Sequence, residues 1–84
     1  MKWHEIRHLH PGKFILILVE KEEKISENEY RILSGEVIET STDLKHILKA
    51  YQEEKEKGKN VLYALPSTPD EFIVENVPFM GIIR

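Results

Sequence analysis

The sequence predicts a small α+β protein in which a small, mostly antiparallel sheet, of order β-β-α-β-β, is covered on one face by a single helix. Three observations support this prediction. Residues 13–20 are apolar on both faces of a strand, residues 41–59 have one amphipathic helical pattern, and short apolar stretches separated by turn residues lie on either side of that helix. A chain of 84 residues has material for one core, so we expect a single domain, 1–84.

The first predicted strand, residues 13–20, follows a turn at Pro11-Gly12. Alternate side chains of a strand point to opposite faces of the sheet. One face would carry Phe14, Leu16 and Leu18, and the other Ile15, Ile17 and Val19. Both sets are apolar, which favours a central strand with cover on each side.

The most charged stretch, residues 20–30, is interpreted as a solvated hairpin connection or a continuation of the strand. An acidic, partner-binding loop is the alternative. Residues 30–33 and 36–40 flank Ser34-Gly35. We favour one strand with a glycine bulge, antiparallel to the first strand, over two short strands around a tight turn.

Residues 41–59 give the clearest helical pattern. Ser41 or Thr42 is expected to cap the N-terminus, with Asp43 in the first turn. Gly58 suits the left-handed position that ends a helix. The apolar stripe at helical spacing consists of Leu44, Ile47, Leu48 and Tyr51.

Two further strands are predicted at residues 60–66 and 71–77, with a turn between them. The chain then closes on a segment that is very apolar for a terminus. Its large side chains are Phe79, Met80, Ile82 and Ile83. This segment is interpreted as either a fifth strand or a contact in a homodimer.

One helix leaves the opposite face of the sheet in need of cover. The N-terminal segment can supply part of it through Trp3, Ile6 and Leu9. A second copy of the chain is the other candidate. Together with the apolar C-terminal segment, this uncovered face leads us to predict a homodimer.

Composition excludes several classes of protein. There is no cysteine, so no disulfide framework or thiolate site is expected. The net charge of −3 disfavours nucleic-acid binding. No apolar run approaches the ~20 residues of a membrane span, and no signal-peptide core follows Met1, so no membrane partner and a cytoplasmic location are expected. Glu and Lys are abundant in the chain, and this bias is reported for thermophile proteins.

The stretch PGKFILIL and the later stretch from Gly35 to Pro66 carry a resemblance. Residues 11–66 resemble a family of short prokaryotic domains of uncharacterised function, with a PGKW-like first strand. The matching positions are Pro11, Gly12, Lys13, Gly35, Val37, Leu44, Gly58 and Pro66. The chain departs from the family at Phe14, where tryptophan is usual, and in a longer connection between the first two strands. The resemblance implies a β-β-α-β-β fold and no catalytic residues.

Residues 4–8 read H-E-x-x-H, the pattern of zinc metalloproteases. On a helix, His4 and His8 would reach one metal ion, with Glu5 as the general base. A zinc site needs a third protein ligand, and His10 is the available nitrogen nearby. Our main interpretation is that the pattern is a coincidence within a surface or packing segment. A metal site of His4, His8 and His10 is the alternative.

No serine has the context of a nucleophile elbow, and no glycine-rich phosphate loop precedes the helix. The sequence therefore predicts a non-enzymatic protein that acts through protein–protein interaction, with a regulatory or toxin–antitoxin partner as one hypothesis. Its candidate surfaces are residues 20–30, the apolar C-terminal segment and any open strand edge. The alternative function is a metal-binding or zinc-dependent hydrolytic protein that uses residues 4–8.

Overall fold

The computed structural model describes residues 1–75. Its elements in chain order are α1 (Trp3–Leu9), β1 (Phe14–Lys24), β2 (Glu29–Ser41), α2 (Leu44–Glu56), β3 (Val61–Ala64) and β4 (Phe72–Glu75). The strands form one antiparallel sheet in the order β3-β1-β2-β4. The prediction of an α+β protein with an antiparallel sheet is confirmed. The structure differs from the prediction in one element, a second helix, α1, which precedes the first strand in the chain.

The β1–β2 hairpin is longer than the sequence predicted. Residues 20–24 continue β1, so this charged stretch is mainly strand, and its pairing with β2 runs from Phe14↔Ser41 to Lys24↔Tyr30. The second strand is continuous, as favoured above. Its register shifts beside Gly35, where Glu20 of β1 has no partner, which is the arrangement of a β-bulge.

The sheet carries a hydrophobic core on each face. The core on the α1 side contains Trp3, Ile6, Ile15, Ile17, Ile32, Ala64 and Phe72. The core on the α2 side contains Leu16, Ile47 and Val61, with Phe14, Leu18, Ile38, Ala50, Tyr51 and Tyr63 packed against it. The two faces predicted for the first strand are therefore confirmed.

The N-cap of helix α2 lies one or two residues later than predicted. Strand β2 extends to Ser41, and the N-cap is Asp43, whose side chain accepts a hydrogen bond of 3.0 Å from the Lys45 N–H. The expectation of Ser41 or Thr42 as the cap was wrong, because Ser41 still pairs with Phe14. At the other end, Gly58 has a φ of +83°, as expected for the residue after a helix.

Helix α1 has seven residues, which is too short to be stable by itself. Tertiary contacts hold it: the Trp3 indole donates to the Pro69 oxygen at 2.9 Å, and Arg7 donates to the Leu65 oxygen at 2.9 Å. Trp3 and Ile6 cover the sheet as predicted, whereas Leu9 is 60% exposed and does not contribute.

One expectation is not addressed by these elements, and another is tested by the two helices. The predicted roles of Phe79, Met80, Ile82 and Ile83 concern residues outside the described part of the chain. Neither α1 nor α2, the helices of residues 1–75, has the length and apolar character needed to span a bilayer.

Candidate interaction surface

The histidines of the predicted metal site lie on and just after α1. His4 and His8 are one turn apart, and the His8 Nε2 lies 4.0 Å from a carboxylate oxygen of Asp70, both side chains being largely exposed. His10 ends the helix, and its main-chain oxygen accepts a hydrogen bond from Arg7. Within residues 1–75, no three His, Cys, Asp or Glu side chains are grouped so that they could hold a metal ion. The zinc site therefore stays a prediction.

The carboxylate of Glu5 has a structural partner in this helix. It accepts a hydrogen bond of 3.1 Å from the Lys2 N–H, which is one of the unpaired donors at the helix start. A general base must reach the proton that it abstracts. In this arrangement Glu5 caps the helix, which is a role that the H-E-x-x-H pattern did not predict.

A different surface is created by the curvature of the sheet. In the sheet of residues 1–75, β3 and β4 are the two outermost strands, yet side chains from both line one groove of about 330 Å³. We call it the edge groove, and its lining residues are Tyr51, Leu62, Tyr63, Leu65, Phe72, Ile73 and Val74. The α1-side core draws on all four strands, so the sheet curls around this core and brings its two edges towards each other.

A second cavity, of about 460 Å³, lies next to the edge groove, and we call it the groove mouth. The two cavities share Leu62 and Val74. The apolar residues Val19 and Ile32 also line the mouth, together with the charged residues Glu22, Lys55 and Glu75, and with Tyr30 and Asn60. The edge groove is therefore lined by apolar and aromatic side chains, and the adjacent groove mouth adds charged groups.

Each strand beside the groove has one edge that is not used by the sheet. Among residues 1–75, β3 pairs only with β1, and β4 pairs only with β2. The outer edges of these strands present N–H and C=O groups to which another strand can bind. Beside them, Leu65 is 43% exposed and Ile73 is 40% exposed, which is a large exposure for apolar side chains in the same groove.

One wall of the edge groove is built by an aromatic pair. The rings of Tyr51 on α2 and Tyr63 on β3 lie 5.2 Å apart at an angle of 78°. This edge-to-face geometry is favourable for aromatic rings. The sequence placed Tyr51 on the apolar stripe of the helix. Both tyrosines are partly buried against the α2-side core, and both also line the groove.

The segment between α2 and β3 is fixed by ion pairs. Glu54 accepts hydrogen bonds from Lys59 at 2.8 Å and from Lys57 at 3.1 Å. The bond from Lys59, followed by that from Lys57, lowers the pKa of Glu54. The next residue, Asn60, accepts a hydrogen bond from the Val19 N–H at 2.9 Å, so the wall of the groove mouth is held in a defined position.

The charged stretch 20–30 is also partly organised by an ion pair. Arg31 bonds Glu23 of β1 at 2.5 Å and Glu71, just before β4, at 3.1 Å. These contacts tie the far end of the hairpin to β4. Glu22 of the same stretch lines the groove mouth, so part of the predicted acidic surface lies beside the edge groove.

No protein-family model matches the chain, and neither a curated protein nor a solved structure is similar enough to count as a match. The resemblance of residues 11–66 to short prokaryotic domains therefore stays a prediction.

Proposed function

We propose that this protein is a non-enzymatic binding protein that recognises another polypeptide through the edge groove. The observation that carries the proposal is the position of two strand edges, those of β3 and β4, that pair with no other strand of residues 1–75 and lie on either side of one apolar groove. An apolar groove beside a free strand edge suits an extended peptide. The partner is a second protein, encoded nearby in the regulatory or toxin–antitoxin arrangement, or a second copy of this chain.

The binding mode follows from the geometry of the groove. An extended partner segment would form main-chain hydrogen bonds with β3 or β4 and place every second side chain into the groove. Each of these strands has four residues, so the edge offers few hydrogen bonds. Most of the affinity must then come from apolar side chains that bury Leu65, Ile73 and the tyrosine pair. We therefore expect a partner segment with large apolar residues at alternate positions.

The test compares matched variants that differ only in where a charge is placed. Ile73→Lys and Leu65→Lys put a cation into the groove. Leu44→Lys is the control, because Leu44 is similarly exposed at 38% but lies at the start of α2 and not in the groove. Each tagged protein is expressed in its source cells and cross-linked, and captured proteins are quantified by mass spectrometry.

We expect a captured protein that is lost with Ile73→Lys and retained with Leu44→Lys. Sedimentation velocity on the purified proteins tests the self-association version, in which the wild type is a dimer and Ile73→Lys is a monomer. Melting curves show whether each variant is folded. A wild type that is monomeric and captures nothing sensitive to Ile73→Lys would refute the proposal.

A further inference from the structure

We infer that a cavity beside the start of the chain binds a phosphate group, either as free phosphate or as a phosphate monoester of a small organic molecule. The cavity has a volume of about 460 Å³, and we call it the basic cavity. Its lining residues are Lys2, His4, Lys21, Leu33 and Ser34. None of them lines the edge groove or the groove mouth. Binding of phosphate here is therefore independent of the proposed function.

Backbone pairing brings three separate segments together at this cavity. Ser34 of β2 lies in the middle, because it pairs with Lys21 of β1 and also, through an isolated antiparallel bridge, with Lys2. Directly paired residues carry their side chains on the same face of a sheet. The bridge is held at the next residue, Gly35, whose N–H donates to the Met1 oxygen at 2.9 Å. The two lysines are thus placed on either side of one serine.

A bulge explains why two consecutive residues of β2 line one cavity. Consecutive side chains of a regular strand point to opposite faces. Here Ser34 pairs with Lys21, and Ile32 pairs with the next residue of β1. Leu33, between them, has no partner in β1. Such a leftover residue is a β-bulge, and bulges turn side chains away from their regular direction. Leu33 and Ser34 can therefore both line the basic cavity.

The charges that line the cavity have one sign. Lys2 and Lys21 each bring an ammonium group, the ring of His4 offers an N–H donor, and no carboxylate of residues 1–75 lines the cavity. The whole chain has a net charge of −3, so this concentration of positive charge runs against the balance of the protein. A cleft lined by charges of one sign concentrates ions of the opposite sign. An anion is therefore the expected ligand.

The carboxylates next to these residues in sequence have other contacts. Glu5 accepts a hydrogen bond from the Lys2 N–H, and Glu20 lies 3.6 Å from the amino group of Met1. Glu22 lines the groove mouth. Within residues 1–75, no salt bridge involves a basic side chain of the cavity. The charges of the cavity are thus left for a ligand.

The donors and the volume of the cavity define the class of ligand. Two ammonium groups, a ring nitrogen and the Ser34 hydroxyl can all donate hydrogen bonds. A phosphate group carries about two negative charges at neutral pH and has three strong acceptor oxygens, so it matches two lysines and further donors better than one carboxylate does. Pockets for small molecules have volumes of about 300–1,000 Å³. Leu33, which is 37% exposed, gives an organic group an apolar contact.

Amide NMR spectra of the isotope-labelled full-length protein test the inference. Inorganic phosphate and phenyl phosphate are added in separate titrations at neutral pH and about 100 mM NaCl, where the Debye length of about 10 Å screens distant charges. Lys21→Gln removes one cation from the cavity. Lys24→Gln is the control, because Lys24 is exposed on the same strand and does not line the cavity. The same spectra show whether each variant is folded.

We expect saturable shifts of the amides of Lys21, Leu33 and Ser34. The affinity should fall at least ~10-fold in Lys21→Gln, because a hydrogen bond between charged groups is lost, and should not change in Lys24→Gln. Tighter binding of phenyl phosphate than of inorganic phosphate would identify a monoester as the ligand. Equal affinities would identify free phosphate.

Two outcomes would overturn the inference. One is a set of shifts that does not saturate or that lies away from the basic cavity, since the phosphate would then be only a general counter-ion. The other is an equal loss of affinity in Lys21→Gln and Lys24→Gln. Ser34→Ala is a second, uncharged variant, and it should weaken binding at least ~3-fold because a hydroxyl donor is removed. Unchanged affinity in both Lys21→Gln and Ser34→Ala would place the phosphate elsewhere.

Discussion

The indole ring of Trp3 lies 4.8 Å from the phenyl ring of Phe72, centroid to centroid, with the ring planes inclined by 51°. The same indole donates a hydrogen bond to the Pro69 oxygen. These contacts join the first helix to the last described strand across 66 residues or more of sequence. They hold β4 against the α1-side core. The edge groove depends on this packing, because side chains of β4 line the groove.

The first prediction concerns Trp3. We expect Trp3→Ala to lower the free energy of unfolding by about 3–5 kcal/mol, because a fully buried aromatic side chain is replaced by a cavity. Trp3→Phe keeps much of the packing but loses the bond to Pro69, and should cost about 1–2 kcal/mol. Urea denaturation followed by circular dichroism measures both. Leu9→Ala is the exposed control on the same helix, and a loss as large as that of Trp3→Ala would contradict the assigned packing.

The second prediction concerns Gly35 of β2, which pairs with Val19 next to the bulge at Glu20 of β1. A Cβ at this position would lie 2.6 Å from the main-chain oxygen of Leu18, which belongs to the neighbouring strand. We expect Gly35→Ala to destabilise the protein by about 1–3 kcal/mol, because the strands must separate locally. Thermal melting compares it with Ser34→Ala, for which a change within about 0.5 kcal/mol is expected. If the two substitutions lowered stability equally, the close approach of Gly35 to Leu18 would not be the cause of the loss.

The third prediction concerns the pH dependence of stability. The pKa of Glu54 is lower in the folded protein, chiefly because Lys59 and Lys57 donate hydrogen bonds to its carboxylate. The stabilisation is present above the pKa of an unfolded glutamate, about 4.3, and is lost as the pH falls through the lower folded value. Glu54→Gln should therefore reduce the melting temperature at pH 7 and have a smaller effect at pH 3. Glu53→Gln is the neighbouring control, and a difference for Glu54→Gln that grows on acidification would contradict this account.

The fourth prediction concerns the histidines of α1. On the helix, His4 and His8 can offer two nitrogens, whereas a zinc site takes three or four protein ligands. We expect any bound zinc to be removed by a chelator without a change in melting temperature. Elemental mass spectrometry on untagged protein measures the metal content, and His4→Ala/His8→Ala is the matched variant. One tightly held zinc per chain, lost in that variant, would establish the metal site that the sequence suggested.

Local patterns in the sequence predicted most of the elements. The strand at residues 14–19, which is apolar on both faces, was identifiable because alternation in a strand is fixed by backbone geometry. Gly58 marked the end of α2 for a similarly local reason. The cap was misplaced because Ser41, Thr42 and Asp43 are all good capping residues, and the choice among them depended on how far β2 continued along β1.

The helix α1 was not predicted as an element, although Trp3 and Ile6 were identified as cover for the sheet. A seven-residue helix has too few internal hydrogen bonds to form by itself, and its stability comes from Trp3, Arg7 and their partners in residues 65–69. Those partners are distant in sequence. The H-E-x-x-H pattern was visible locally, but its chemistry depended on where His10 and Glu5 would point.

The sequence by itself determined the apolar faces of the first strand, the turns and the succession of strands along the chain before and after α2, because each depends on residues that are close together in the chain. Only the tertiary structure decided that β3 and β4 face each other across one groove. That juxtaposition arises from the curl of the sheet around Trp3 and Phe72, which is the sum of twist and bulges over all strands. No short stretch of sequence encodes the combined twist and bulges of four strands. The candidate interaction surface is a direct consequence of that curl.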